Sequence, residues 1–213
     1  MNKYLNNDLK LFLYLIIVIG LTSLIFKSDD EYWLRSCTIE YDSCGYKNQK
    51  GKWEVSMGRY TKLYTDTFRT TAIVYEKNQG IIGINKKGER LYFVHVFDNG
   101  PDPIFEGLFR IIIDNKYGFA NMNNIVIDPK FDFVYPFSEG LAIFNKGCTL
   151  KKEMNGDHVI VDGGKLGYIN KEGVIIINAQ YDYAESFTNN CARVVLNEQK
   201  ILIDKNGKII GHW

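Results

Sequence analysis

The residues of this chain able to do chemistry are four cysteines, three histidines and an aspartate that recurs along its length. His95, His158 and His212 lie far apart, and none is close in sequence to another histidine or to a cysteine, so the clustered spacing of a metal site is absent. Their expected places are the surface or a sheet edge. Asp98, Asp132 and Asp182 each follow an aromatic residue, Phe97, Phe131 and Tyr181. A row of carboxylates on one face could bind cations or sugars, and a converging pair such as Asp98 with Asp132 could serve as acid and base in glycoside hydrolysis. The ordinary role of such an aspartate is to end a strand by bonding to nearby backbone. Asp204-Lys-Asn-Gly207 resembles the start of a calcium loop but has no carboxylate at the twelfth position, and reads as a hairpin turn.

The cysteines are Cys37, Cys44, Cys148 and Cys191. Cys37 and Cys44 are the candidate disulfide, closing a short loop. The other pairings stay open, since four cysteines allow three full connectivities. Cys191 is expected to pack in the core. Cys-x-x-Cys, Gly-x-Ser-x-Gly, His-Glu-x-x-His, phosphate-loop and dinucleotide motifs do not occur. The sequence therefore nominates no catalytic, cofactor-binding or metal-binding residue, and the chain is not expected to be an enzyme.

The elements that carry these residues repeat. One segment runs Gly83-Ile-Asn-Lys-Lys-Gly88, Phe97-Asp98, Phe105-Glu-Gly-Leu108. A second runs Gly118-Phe-Ala-Asn-Met-Asn-Asn124, Phe131-Asp132, Phe137-Ser-Glu-Gly-Leu-Ala142. A third runs Gly167-Tyr-Ile-Asn-Lys-Glu-Gly173, Tyr181-Asp182, Phe187-Thr-Asn-Asn-Cys-Ala192. A fourth starts at Ile201, and Phe68 with Ala72-Ile-Val-Tyr75 forms a preceding half unit. The starts lie about 35 residues apart, except that the step from Gly118 to Gly167 is longer by an insertion. Within a unit, short apolar β-branched runs alternate with Gly-containing turns, the signature of strands and hairpins. A unit of about 35 residues cannot bury its apolar face alone, so neighbours must stack, with the Phe and Tyr at matched offsets as the core.

This frame of Gly-aromatic-Ile-Asn, aromatic-Asp and Phe-x-Glu-Gly-Leu-Ala, from about Tyr64 to Ile210, resembles the WG-repeat family of bacterial proteins. It departs from the Trp-Gly pair, having Ile82, Tyr117 or Leu166 before the glycine and Lys200-Ile201 in the fourth unit. The resemblance implies a β-repeat architecture and modules that bind other molecules, with no particular reaction.

Two places break the period. The insertion, residues 146–164, carries Asn155-Gly156 between two extended runs, a strong hairpin signal. It is expected to protrude, either as a tolerated surface insertion or as a partner-contacting arm built from Lys151, Lys152, Met154, Asn155, Gly156 and His158. The second break, Asn99-Gly-Pro-Asp-Pro103, makes the aromatic-Asp to Phe distance longer and reads as a rigid structural loop.

At the N-terminus, Leu11 to Phe26 is uncharged and bracketed by Lys10 and Lys27. At 1.5 Å per residue it would cover about 24 Å, and snorkelling lysines could extend it across a bilayer core of about 30 Å. A buried soluble helix should show a polar face, and a cleaved signal peptide should show a small-residue cleavage site. A retained anchor is therefore favoured, with the membrane as partner through residues 11–26. Net charge is +1, and the mixed body lacks the basic excess of a nucleic-acid binder.

The expected organisation is a cytoplasmic tail (1–10), a transmembrane signal anchor (11–26), a polar spacer (27–55) and a β-repeat domain (56–213). The fold class is all-β, an open, solenoid-like stack of β-meander units behind one transmembrane helix. The expected function is a membrane-anchored, non-catalytic binding or scaffold module outside the cytoplasm, periplasmic or extracellular. Its partner would be a protein or glycan and not nucleic acid. The alternatives are a carbohydrate-active or other hydrolase using the repeat aspartates, and a purely structural envelope protein.

Overall fold

Gly and Asx turns recur wherever an apolar run ends, and between them the chain is extended. The computed structural model describes residues 31–38, 43–152 and 159–213. The first three strands are β1 (Trp33–Cys37), β2 (Cys44–Asn48) and β3 (Trp53–Val55). Next come β4 (Lys62–Leu63), β5 (Thr67–Phe68), β6 (Ala72–Glu76), β7 (Gly80–Ile84) and β8 (Arg90–Val94). A small hairpin of β9 (Val96–Phe97) and β10 (Gly100–Pro101) leads to β11 (Phe109–Ile113), β12 (Lys116–Ala120) and β13 (Ile125–Phe131). Then follow β14 (Phe133–Val134), β15 (Leu141–Lys146), the hairpin of β16 (Thr149–Lys152) and β17 (Val159–Asp162), β18 (Lys165–Asn170) and β19 (Ile175–Tyr181). The last strands are β20 (Tyr183–Ala184), β21 (Cys191–Leu196), β22 (Gln199–Asp204) and β23 (Ile209–His212).

All named pairings are antiparallel and, apart from β5 returning to pair with β1, join strands close in sequence, so the units after the first are meanders. The sheet orders β14-β15-β18-β19 and β20-β21-β22-β23 show the unit in its clearest form. Each unit turns on the same device. Asn48, Asn85, Asn121, Asn170 and Asp204 each accept, on side-chain Oδ1, backbone N–H groups from two residues further along the turn, at 2.8–3.1 Å. This Asx turn closes the hairpin between the third and fourth strands of a unit. It occurs five times among the described residues and marks five structural units, numbered first to fifth by their turns at Asn48, Asn85, Asn121, Asn170 and Asp204.

Successive units share their cores, and Tyr32–Trp213 is one compact unit. Trp33, Tyr46 and Val55 pack with Phe68, Val74 and Ile82, while Ile73, Ile81 and Tyr92 pack with Phe109, Ile111 and Ala120. Phe119 and Phe131 meet Phe137 and Phe144, and Tyr168 and Ile177 meet Phe187 and Val194. Alternate residues of one strand thus enter different clusters, as period-2 side chains must. An aromatic pair recurs at these junctions: Tyr46 with Phe68 at 5.1 Å, Phe119 with Phe137 at 4.7 Å, and Tyr168 with Phe187 at 4.9 Å between ring centroids. No buried hydrophobic cluster among the described residues joins the first unit to the fifth. Polar clasps add to the stack. The Glu106 carboxylate accepts the N–H of Gly140 and pairs with Lys171 at 2.9 Å, and Glu139 accepts the N–H groups of Asn189 and Asn190 and pairs with Lys205 at 3.2 Å.

The structure corrects several expectations. No helix is present among the described residues, and none there is long and apolar enough to cross a membrane, so the transmembrane helix and the single-pass membrane location do not stand. The physical reason on the described chain is that its apolar pattern is period-2 throughout, broken by turns every few residues. Residues 1–10 and 11–26, on which the tail and anchor rested, lie outside the described residues.

The spacer is corrected as well. Its described residues form β1, β2 and β3, with Trp33, Tyr46 and Val55 buried. Gly45-Tyr-Lys-Asn-Gln-Lys-Gly51 is a true repeat start, matching Gly167-Tyr-Ile-Asn-Lys-Glu-Gly173. Among the described residues this sheet shares a buried cluster with one neighbour, and Leu34 is exposed.

Phe105 is corrected too: Phe137 and Phe187 are buried, but Phe105 is 43% exposed. Its backbone bridges Leu108 as Ser138 bridges Leu141 and Thr188 bridges Cys191, so it sits one residue out of phase with the buried rings. The aromatic it would pack on is also missing, because Gly83 stands there and the Tyr92 ring fills the space, 2.2 Å from where a Cβ would be.

Candidate functional site

The loop Asn99-Gly-Pro-Asp-Pro103 folds back under β11 and carries a charge into the core. Gly100 and Pro101 pair with Phe97 and Val96, and the Asp102 N–H donates to the His95 carbonyl at 2.9 Å. The Asp102 carboxylate then accepts the backbone N–H of Arg110 at 2.8 Å and its Nη2 at 2.5 Å, with Nε at 3.1 Å from both oxygens. The two residues are 4% and 5% exposed. Arg110 Nη1 reaches the Val134 carbonyl at 3.4 Å, and its guanidinium lies 5.8 Å from the Phe133 ring centroid. A charge pair buried this deeply stays only because each member satisfies the other.

This pair holds His95 and Tyr117. The His95 N–H donates to the Arg110 carbonyl at 3.1 Å, fixing the backbone from which the imidazole projects. That ring, in a residue 6% exposed, lies edge-on to Tyr117 and Phe133, with centroids 5.7 and 5.8 Å away. His95 Nδ1 and the Tyr117 hydroxyl are 3.5 Å apart, a long contact that leaves both groups with hydrogen-bonding capacity. Burial, reinforced by the Arg110 charge and opposed by Asp102, pushes the His95 pKa down to about 4. Burial pushes the Tyr117 phenol up to about 12. At neutral pH both rings are therefore uncharged.

His95 and Tyr117 line a cavity of about 550 Å³, within the size range of small-ligand sites. Its remaining walls include Ile81, Phe93, Val96, Ile112 and Val159, with the polar residues Gln79 and Asn115 among them. The site thus combines β7, β8, β11 and β12 with the base of the β16–β17 hairpin.

The residues singled out from sequence are distributed differently. Asp132 pairs with Lys116 at 2.5 Å and accepts the Gly147 N–H at 2.6 Å, and Asp182 pairs with Lys165. The Gly147 N–H and Lys116 hold the Asp132 carboxyl below its usual range, and Lys165 does the same for Asp182. Both stand where the chain passes from one sheet to the next. Asp98 does not belong with them: it is in the β9–β10 turn with φ 46°, and the position equivalent to Asp132 is Tyr92. Each of the two equivalent aspartates is therefore engaged by its own lysine, and the expected row of three does not form.

Cys37 and Cys44 face each other in the β1–β2 register and are joined by a disulfide. Cys148 and Cys191 are free. The β16–β17 hairpin exists, with Lys151 paired to Asp162 at 2.6 Å and Lys152 at the end of β16. Met154, Asn155, Gly156 and His158 lie outside the described residues. The hairpin base does not stand clear of the body, because Val159 and Val161 pack on the core.

Sequence reasoning missed Asp102, Arg110, Tyr117 and the burial of His95. The available signal was an aspartate between two prolines, in the one unit whose loop is lengthened there.

Stacked antiparallel meanders, joined by aromatic pairs and Glu clasps, define a β-repeat protein of the array class. Residues 121–147 and 167–199 match the family model described as WG containing repeat, so these two stretches of the chain are WG-type repeats. The matched stretches hold Phe131-Asp132 with Phe137 and Tyr181-Asp182 with Phe187, the places where the unit keeps its full frame. No curated protein matches the chain.

Proposed function

We propose that this chain is a non-catalytic binding module that takes a small ligand in the cavity at His95 and Tyr117, with the stacked units as a rigid frame. The observation that carries this reading is a cavity of about 550 Å³ whose wall includes two polar side chains, both more than nine-tenths buried and with hydrogen-bonding capacity left over. Recognition sites are mostly apolar and place a few polar groups to orient the ligand. Binding is favoured over chemistry because a histidine with a pKa near 4 is a weak proton acceptor at neutral pH, far from the value suited to a general base.

Ligand-observed NMR of a fragment library against the full chain tests this reading. Fragments should bind the native chain and lose binding when Ile112→Trp fills the cavity, with the unfolding midpoint confirming that the variant is folded. The absence of binders, or hits that bind the filled variant equally well, would overturn it.

A further inference from the structure

We infer that the cavity selects an uncharged ligand carrying a hydroxyl or amide on an apolar frame. The inference rests on the binding reading above and adds the chemistry of the ligand. Among the described residues, no Asp, Glu, Lys or Arg lines the cavity. The buried charges behind it, Asp102 and Arg110, cancel each other in a close pair and spend their hydrogen bonds on one another. Arg90, which contacts two of the lining residues, is held by the Gln79 side-chain oxygen at 2.5 Å and lies 4.4 Å from the Phe93 ring centroid. An ionised ligand entering this space would give up its hydration and find no counter-ion among the described wall residues, a loss that excludes charged groups from apolar sites.

The polar groups that remain are matched to a neutral donor–acceptor. The Tyr117 hydroxyl and the His95 imidazole can each give or take one hydrogen bond, and their separation leaves both able to bond to a third group. Gln79 and Asn115 are further uncharged polar residues of the lining. Ile81, Val96, Ile112, Phe93 and Val159 present hydrocarbon to the rest of the ligand. A hydroxyl or amide on a small apolar ring or chain satisfies both halves of the wall.

The test titrates four probes of similar size into the full chain at pH 7, followed by NMR: 4-methylphenol, toluene, benzoate and benzylammonium. The expected result is that 4-methylphenol binds at least about tenfold more tightly than either ion and more tightly than toluene. Tyr117→Phe should bring 4-methylphenol down towards toluene, and Arg90→Gln should leave the order of probes unchanged. An unchanged amide spectrum outside the cavity shows that each variant is folded.

Benzoate or benzylammonium binding as tightly as 4-methylphenol would overturn the inference and leave the cavity a binding site. If none of the four binds, the inference also falls, and the fragment screen decides separately whether the binding reading falls with it. If Tyr117→Phe leaves 4-methylphenol untouched, the assigned polar contact is wrong and the inference fails.

Discussion

At the residue scale the buried Asp102–Arg110 pair is the feature with the largest consequences. Arg110 occupies the place held by Ile143 in the following unit, since Ile111 opposes Gly118 as Phe144 opposes Gly167. The repeat itself therefore shows that a hydrophobic side chain fits there. Asp102→Asn leaves a buried guanidinium uncompensated and should cost about 3–5 kcal/mol in urea unfolding. The double change Asp102→Leu with Arg110→Ile should cost much less, and a double variant as unstable as the single one would contradict this account of the pair. His95 adds a pH dependence. Its folded pKa, about 4, lies below an unfolded value near 6.5, so the unfolded chain binds the proton first. Its contribution is complete above about pH 6.5 and is lost as pH falls towards 4. Asp132 and Asp182, with lowered pKa values, instead support the fold above their unfolded values near 4 and withdraw that support below them. Urea midpoints between pH 7 and pH 4.5 should fall for the native chain and stay flatter for His95→Phe. None of this cluster was legible in sequence, because the pair joins residues on either side of a loop where the repeat slips phase. The Cys37–Cys44 contact was legible, since a short loop brings its own ends together whatever the fold around it.

At the element scale the repeat was readable because turns are local: Asn and Gly at fixed offsets set the hairpins without help from the rest of the chain. Phase was not readable where packing sets it. In the third and fourth units the fourth strand bulges opposite the repeat glycine. A Cβ at Gly118 would lie 2.3 Å from the Ile127 carbonyl oxygen, and at Gly167 2.5 Å from that of Ile177, so only glycine lets that backbone close in. The second unit lacks this wider bulge, and Ile82 stands at the equivalent place, opposite Phe93. An alignment led by glycine therefore picks Gly83, one residue too late, and the error propagates to Asp98 and Phe105. Gly118→Ala and Gly167→Ala should each destabilise by about 1–3 kcal/mol, the cost of forcing a core backbone apart. Denaturant unfolding in which either variant matched the native midpoint would show that the bulge yields freely.

At the scale of the whole molecule, the apolar core is a series of layers between neighbours, each closed by residues of two consecutive units. Stability in such a stack is close to a sum of unit and interface contributions, so damage at one junction should stay near it. Phe187 is fully buried against Tyr168 in the last of these layers. Phe187→Ala should cost about 3–5 kcal/mol at that junction. Because β20–β23 share their core, among the described residues, with the fourth unit, the loss should be felt there first. Hydrogen exchange should speed up for the amides of β21 and β22 by orders of magnitude, while those of β6 and β7, held in the layers of the second unit, keep their native rates. The same reasoning separates binding from global stability, because the cavity is walled mainly by β7, β8, β11 and β12, two junctions away from Phe187. A variant loosened at its last unit should thus still take up ligand at His95 and Tyr117 with unchanged affinity. If β6 and β7 exchanged as fast as β21 and β22, the units would be folding as one block, and the layered account of the core would have to be abandoned.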